Sequence, residues 1–149
     1  MKNYIFGNLT DWEIVLDKLK QLSDSRELGN YQDELISLLR FDQNWRLREA
    51  AIESLPLVEN PSINLAMEVF SLIKRKDLYY DVRILATDSL EKLTTTIVNN
   101  RDSDKDSLKQ FIFSILSDLE ILLASPEPPI FHDALQNSMD QIKQVEAAI

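Results

Sequence analysis

The chain has 149 residues, no cysteine, two glycines, five prolines and a formal net charge of −9 at pH 7. That length can bury a core as one domain, and the missing cysteines exclude disulfides and thiolate metal sites. So little glycine and proline argues against a many-turned β-sandwich and for long helices on short connections, while the acidic balance disfavours phosphate backbones as partners.

No apolar run approaches the roughly 18 residues a membrane span needs. The opening MKNYIFGNLTDWE lacks the apolar stretch of a signal peptide. A cytoplasmic domain is expected, with neither membrane nor nucleic acid among its partners. The charge is graded along the chain, with net −1 over residues 1–30, −3 over 31–100 and −5 over 101–149.

Residues 1–9 hold Tyr4, Ile5, Phe6 and Leu9 without helical period and read as an irregular lead-in that packs down. Thr10-Asp11-Trp12-Glu13 has the form of a capping box, Thr10 accepting from the backbone and Glu13 reaching back. A helix is predicted from there to about Ser23, with Trp12, Val15 or Leu16, Leu19 and Leu22 inward. Ser23–Asn30 connects to a second helix over Tyr31–Arg40 that buries Leu35, Leu38 and Leu39. Asn44 is the expected N-cap of a third helix, Trp45–Val58, whose Leu47, Ala51, Leu55 and Val58 share one face.

Pro61 suits the first turn of a fourth helix running to about Lys76. Its two apolar stripes, Ile63-Met67-Phe70-Ile73 and Leu65-Val69-Leu72, predict cover on two sides. Lys74-Arg75-Lys76 reads as cations on the helix C-terminus. A fifth helix is predicted over Asp81–Ile97, with Val82, Ala86, Leu90 and Leu93 inward. Asn99–Asp106 reads as a mobile loop. Its Asp102, Asp104 and Asp106 have the opening spacing of a calcium loop but lack the glycine and distant glutamate that complete one, so a solvated charge run is expected. Asp106 or Ser107 is expected to cap a sixth helix reaching Ala124. Ser125-Pro126-Glu127-Pro128-Pro129 ends it, and a last helix runs from Ile130 toward Ala148.

Overlaying these helices exposes a repeat. At an offset of 35 residues, Trp45 meets Tyr80, Leu47 meets Val82, Arg48 meets Arg83, Ala51 meets Ala86, Ser54 meets Ser89 and Leu55 meets Leu90. A weaker third copy at an offset of 49 places Phe131, His132, Leu135, Met139 and Ile142 on Val82, Arg83, Ala86, Leu90 and Leu93. The motifs Leu47-Arg48-x-x-Ala51-x-x-x-Leu55 and Val82-Arg83-x-x-Ala86-x-x-x-Leu90 resemble the second helix of the HEAT-repeat family, in its short bacterial form. The resemblance is specific over Tyr31–Ile97.

It implies an all-α, right-handed α-α solenoid of about seven helices: pairs 31–58, 61–97 and 106–147, with the helix at 11–23 as a cap. All of 1–149 would then form one repeat domain, with the arginines in an internal ladder. One pair cannot bury its own apolar face, so neighbours must stack.

Chemistry is sparse. The single histidine, His132, falls on the ladder position, and no Gly-rich phosphate loop or nucleophile elbow occurs. No catalytic residue, metal or cofactor is therefore expected. What the repeat leaves over is a ridge on the second helices: Trp45, Arg46, Glu49 and Glu53, then Tyr80, Asp81, Asp88 and Glu91, then Asn137 and Asp140. A mainly acidic ridge suits a basic protein partner and raises its association rate. In size and charge the chain is similar to bacterial immunity proteins that neutralise basic nuclease toxins. HEAT-like repeats also occur in phycobiliprotein lyase subunits, which would imply a chromophore, and in DNA glycosylases, whose cationic concave face this charge balance opposes.

Overall fold

The computed structural model describes residues 5–100 and 104–149. These form seven α-helices and no strand: α1 (Trp12–Asp24), α2 (Gln32–Arg40), α3 (Trp45–Ser54), α4 (Ile63–Lys74), α5 (Tyr80–Asn100), α6 (Lys105–Leu123) and α7 (Pro129–Ala147). Short 3₁₀ turns lead into α2 (Leu28–Tyr31) and follow α3 (Leu55–Leu57). Two side chains start helices in the expected manner for N-caps. Asn44 Oδ1 accepts from the Arg46 amide at 2.9 Å, and Ser62 Oγ accepts from the Leu65 amide at 3.1 Å.

Several boundaries differ from the sequence expectation for local reasons. The capping box at Thr10 does not form, because the Thr10 hydroxyl donates back to Asn8 Oδ1 at 2.8 Å and Asp11 precedes the helix without a side-chain cap. The third helix yields to a 3₁₀ turn at Leu55–Leu57, where Pro56 has no amide to continue the α ladder, yet Val58 stays buried. Pro61 lies outside α4, whose cap is Ser62. Helix α4 stops at Lys74, so of the cationic run only Lys74 lies in its last turn. Helix α5 runs on to Asn100, whose side-chain amide donates to Glu59 O at 3.2 Å and to Asn60 Oδ1 at 3.1 Å. Helix α6 opens early at Lys105, after Asp104 rather than Asp106 or Ser107. The connection read over Asn99–Asp106 is thus shortened from both ends, and its Arg101, Asp102 and Ser103 lie outside the described residues.

The helices touch in two rows. Helices α2, α4 and α6 adjoin in sequence, as do α1, α3, α5 and α7, and the pairs α2–α3, α4–α5 and α6–α7 join the rows. Helix α4 therefore meets α2, α5 and α6, which accounts for its apolar residues on two sides. One continuous core results, from Val15 and Leu19 at one end to Leu135 and Ile142 at the other. Phe70 and Phe131 are its largest fully buried apolar side chains.

The same device closes each pair. The fourth residue of α3, α5 and α7 donates a side-chain N–H to a carbonyl at the C-terminus of its partner helix. Arg48 Nε reaches Leu39 O at 2.9 Å, Arg83 Nε reaches Ile73 O at 2.8 Å and His132 Nε2 reaches Leu123 O at 2.8 Å. Last-turn carbonyls lack intrahelical donors, so each contact satisfies a group that burial would otherwise strand. Ser54, Ser89 and Ser138 recur one turn and a half further on and are all buried. Ser89 Oγ crosses between helices to Ile52 O at 3.1 Å.

The two arginines differ beyond that bond. Arg48 Nη2 pairs with Asp42. The residue at the corresponding place in the next pair, Asp77, is held instead by Arg75, with contacts of 3.0 and 2.6 Å, and Arg75 also reaches Asp42 at 3.2 Å. Arg83, only 2 % exposed, packs its guanidinium over Phe131 at 4.4 Å and Tyr80 at 5.2 Å, and its Nη2 finds no hydrogen-bond partner among the described residues.

Candidate protein-binding surface

The row of α3, α5 and α7 carries the sequence-derived ridge. Trp45, Arg46, Glu53, Asp81, Asp88, Asn137 and Asp140 are exposed, while Glu49 and Glu91 are half-buried. On these three helices eight solvent-reaching carboxylates face three cations, against six and four on α2, α4 and α6.

Pairing separates the rows more sharply than composition does. Along the first-helix row, Arg40 clamps Glu68 at 2.6 and 2.9 Å and Lys74 meets Asp118 at 3.3 Å, each pair stitching neighbouring helices. No carboxylate of α3, α5 or α7 belongs to an ion pair among the described residues. Burial raises the Glu91 carboxyl above its ordinary range, and repulsion from Asp88 adds to that, partly offset by Lys92. Asp140 accepts from Gln136 at 3.0 Å, one turn away on the same helix.

Tyr80 and Trp45, matched in the repeat, have separated in role. The Tyr80 hydroxyl donates to Glu127 Oε2 at 2.8 Å and its ring packs on Phe131 with centroids 5.4 Å apart. The Glu127 carboxylate accepting that proton holds the phenol above its usual range. Tyr80 therefore fastens α5 to the α6–α7 turn and is 38 % exposed. Trp45 is 61 % exposed and makes no such bond. Beside it the Arg46 guanidinium lies 5.4 Å from the Trp45 ring and 5.2 Å from the Trp12 ring. Sequence reasoning assigned Trp12 to the core. Trp12 does pack against the core, half-buried; what periodicity alone does not reveal is the adjacency of α1 and α3, which brings Arg46 to its ring.

Glu53 borders a groove of about 260 Å³ between α1 and α3, walled by Leu16, Leu19, Ala50 and Leu57, with Lys20 on the opposite rim. His132 is occupied by Leu123 O within its own pair. No group of three metal-ligating side chains gathers among the described residues, and none of their helices is long and apolar enough to cross a membrane. The chain matches no family model, no curated protein and no solved structure.

Proposed function

We propose that this chain is a HEAT-like repeat module that binds a basic protein through its second-helix row. In this reading the pairs α2–α3, α4–α5 and α6–α7 stack as a right-handed solenoid capped by α1. Support for the repeat comes from the equivalent bonds of Arg48, Arg83 and His132 and from the recurrence of Ser54, Ser89 and Ser138.

The observation that carries the function is the contrast in pairing. Two of the six carboxylates on α2, α4 and α6, Glu68 and Asp118, are paired with a neighbouring helix, whereas none of the eight on α3, α5 and α7 is paired among the described residues. Unpaired surface charges add nothing to fold stability, yet they steer and orient an oppositely charged partner. A small acidic chain that covers a basic surface acts by occlusion, which is the mode of an inhibitor of the immunity-protein kind.

Affinity capture from the source cells, comparing the wild-type chain with E53K/D88K, tests this. The expected result is a partner with a basic surface, held at low salt, released as ionic strength rises and lost from the double variant. Retention of the same partner by E53K/D88K, indifferent to salt, would end the proposal.

A further inference from the structure

Resting on that reading, we infer that Arg46, held between Trp12 and Trp45, is a recognition point for a single carboxylate on the partner polypeptide, next to an apolar side chain that enters the adjoining pocket. Arg46 is exposed and joins no ion pair among the described residues, although Glu49 and Glu53 follow it on α3. By contrast Arg40, Lys74 and Arg75, at the ends of α2 and α4, are all consumed in intramolecular pairs.

Arg46 is nonetheless held by its neighbours. Its backbone amide is fixed by Asn44 Oδ1, and its guanidinium is faced by two indole rings at 5.2 and 5.4 Å. An arginine restrained this way loses less side-chain entropy on meeting a carboxylate than a free one does. Its planar fork suits bidentate contact with one carboxylate. The net charge of −9 on the chain disfavours groups of higher negative charge such as phosphates.

Trp12 is shared with a second feature. It walls a half-open surface pocket of about 210 Å³ whose apolar side is Leu9, Trp12 and Phe41 and whose polar side is Thr10, Gln43 and Asn44. Against the apolar side an incoming leucine or phenylalanine side chain would bury its surface, while its backbone stays at the polar rim. Tryptophan and arginine are the residue types that dominate binding energy at interfaces. Among the acidic positions of the ridge, one fixed cation sets register: a basic partner docks in the orientation that brings its own carboxylate to Arg46.

The test begins with selection of a random dodecapeptide phage library on the intact chain. The chain's two tryptophans both flank Arg46, so their emission reports binding of the selected peptides directly. Selected peptides are expected to carry Asp or Glu within three positions of Leu, Ile or Phe, flanked by Lys or Arg. Changing that acid to its amide should weaken binding at least about tenfold on the wild-type chain. On R46M, with its helicity unchanged by circular dichroism, acid and amide forms should bind alike.

Equal binding of the two forms to the wild type, persistence of the preference on R46M, or selection that yields no acidic position overturns the inference. Peptides rich in Lys and Arg without an acidic position would do so while leaving the acidic-ridge reading in place. An acid–apolar pair without basic flanks, unaffected by E53K/D88K, would instead uphold Arg46 and remove the ridge.

Discussion

Replacing Arg48 and Arg83 in turn by methionine measures what an unpartnered guanidinium nitrogen does in this core. Both arginines make one charge-assisted bond to a helix-end carbonyl, about 1.5–3 kcal/mol in each case. R48M also removes the contact to Asp42, whose side chain is 62 % exposed, so that contact adds at most about 1 kcal/mol. R83M removes two ring contacts at 4.4 and 5.2 Å, about 2 kcal/mol together in a desolvated setting. It also relieves a buried Nη2 with no partner, worth about 1–3 kcal/mol, and the burial of a charge that no carboxylate offsets, worth several kcal/mol in other cores. R48M is therefore expected to destabilise by about 2–3 kcal/mol and R83M by about 1–3 kcal/mol less than that. Urea unfolding followed at 222 nm, with unchanged m-value, reads the difference as a shift in midpoint. If R83M proves as damaging as R48M, the Arg83 guanidinium is satisfied in some way these contacts do not contain, and the reasoning fails.

Three further outcomes follow from the same contacts. Arg75 beside Asp77, and Arg48 followed by Arg75 beside Asp42, hold both carboxyls below their ordinary range. Their contribution is present above the unfolded carboxyl pKa of about 4 and is lost as pH falls through the lower folded values. The loss of stability between pH 4 and pH 2 should thus be shallower in R75M, as measured by melting temperature against pH. The raised Glu91 carboxyl means the opposite sign: its ionisation opposes folding at neutral pH. E91Q should melt no lower than the wild type at pH 7 and lose that advantage below about pH 4; a lower melting temperature at pH 7 would contradict the burial of this group. Finally, N44A removes the cap of α3 and should cost about 1 kcal/mol, whereas T10A, whose hydroxyl meets only Asn8, should stay within about 0.5 kcal/mol of wild type by thermal melting.

Helices and their inward faces were legible because burial repeats at the helical period. Leu35, Leu38 and Leu39, and later Ala86, Leu90 and Leu93, lie inward as their spacing requires. What spacing could not supply was competition between partners. Thr10 had Asn8 as well as the helix amides to bond, and Arg75 had Asp77 two residues away, which draws it out of the helix that a cationic run would otherwise finish. Most ridge residues were legible as exposed positions, Glu49 and Glu91 being half-buried instead, but their lack of counter-ions was not. Arg40 and Glu68 stand 28 residues apart, and pairing at that distance belongs to the assembled rows. Trp12 shows the same limit from the other side: its spacing marks an inward face, and only the neighbouring α3 brings Arg46 to its ring.

The bonds of Arg48, Arg83 and His132 each begin and end within one helix pair. A duplication or deletion that moved such a pair as a block would carry its closing bond with it; the ties to be remade are the lateral ones, such as Ser89 to Ile52, Arg40 to Glu68 and the packing of α5 on α7. On the stacked-pair reading proposed above, the chain would change length in whole pairs, each adding one helix to the row of α3, α5 and α7.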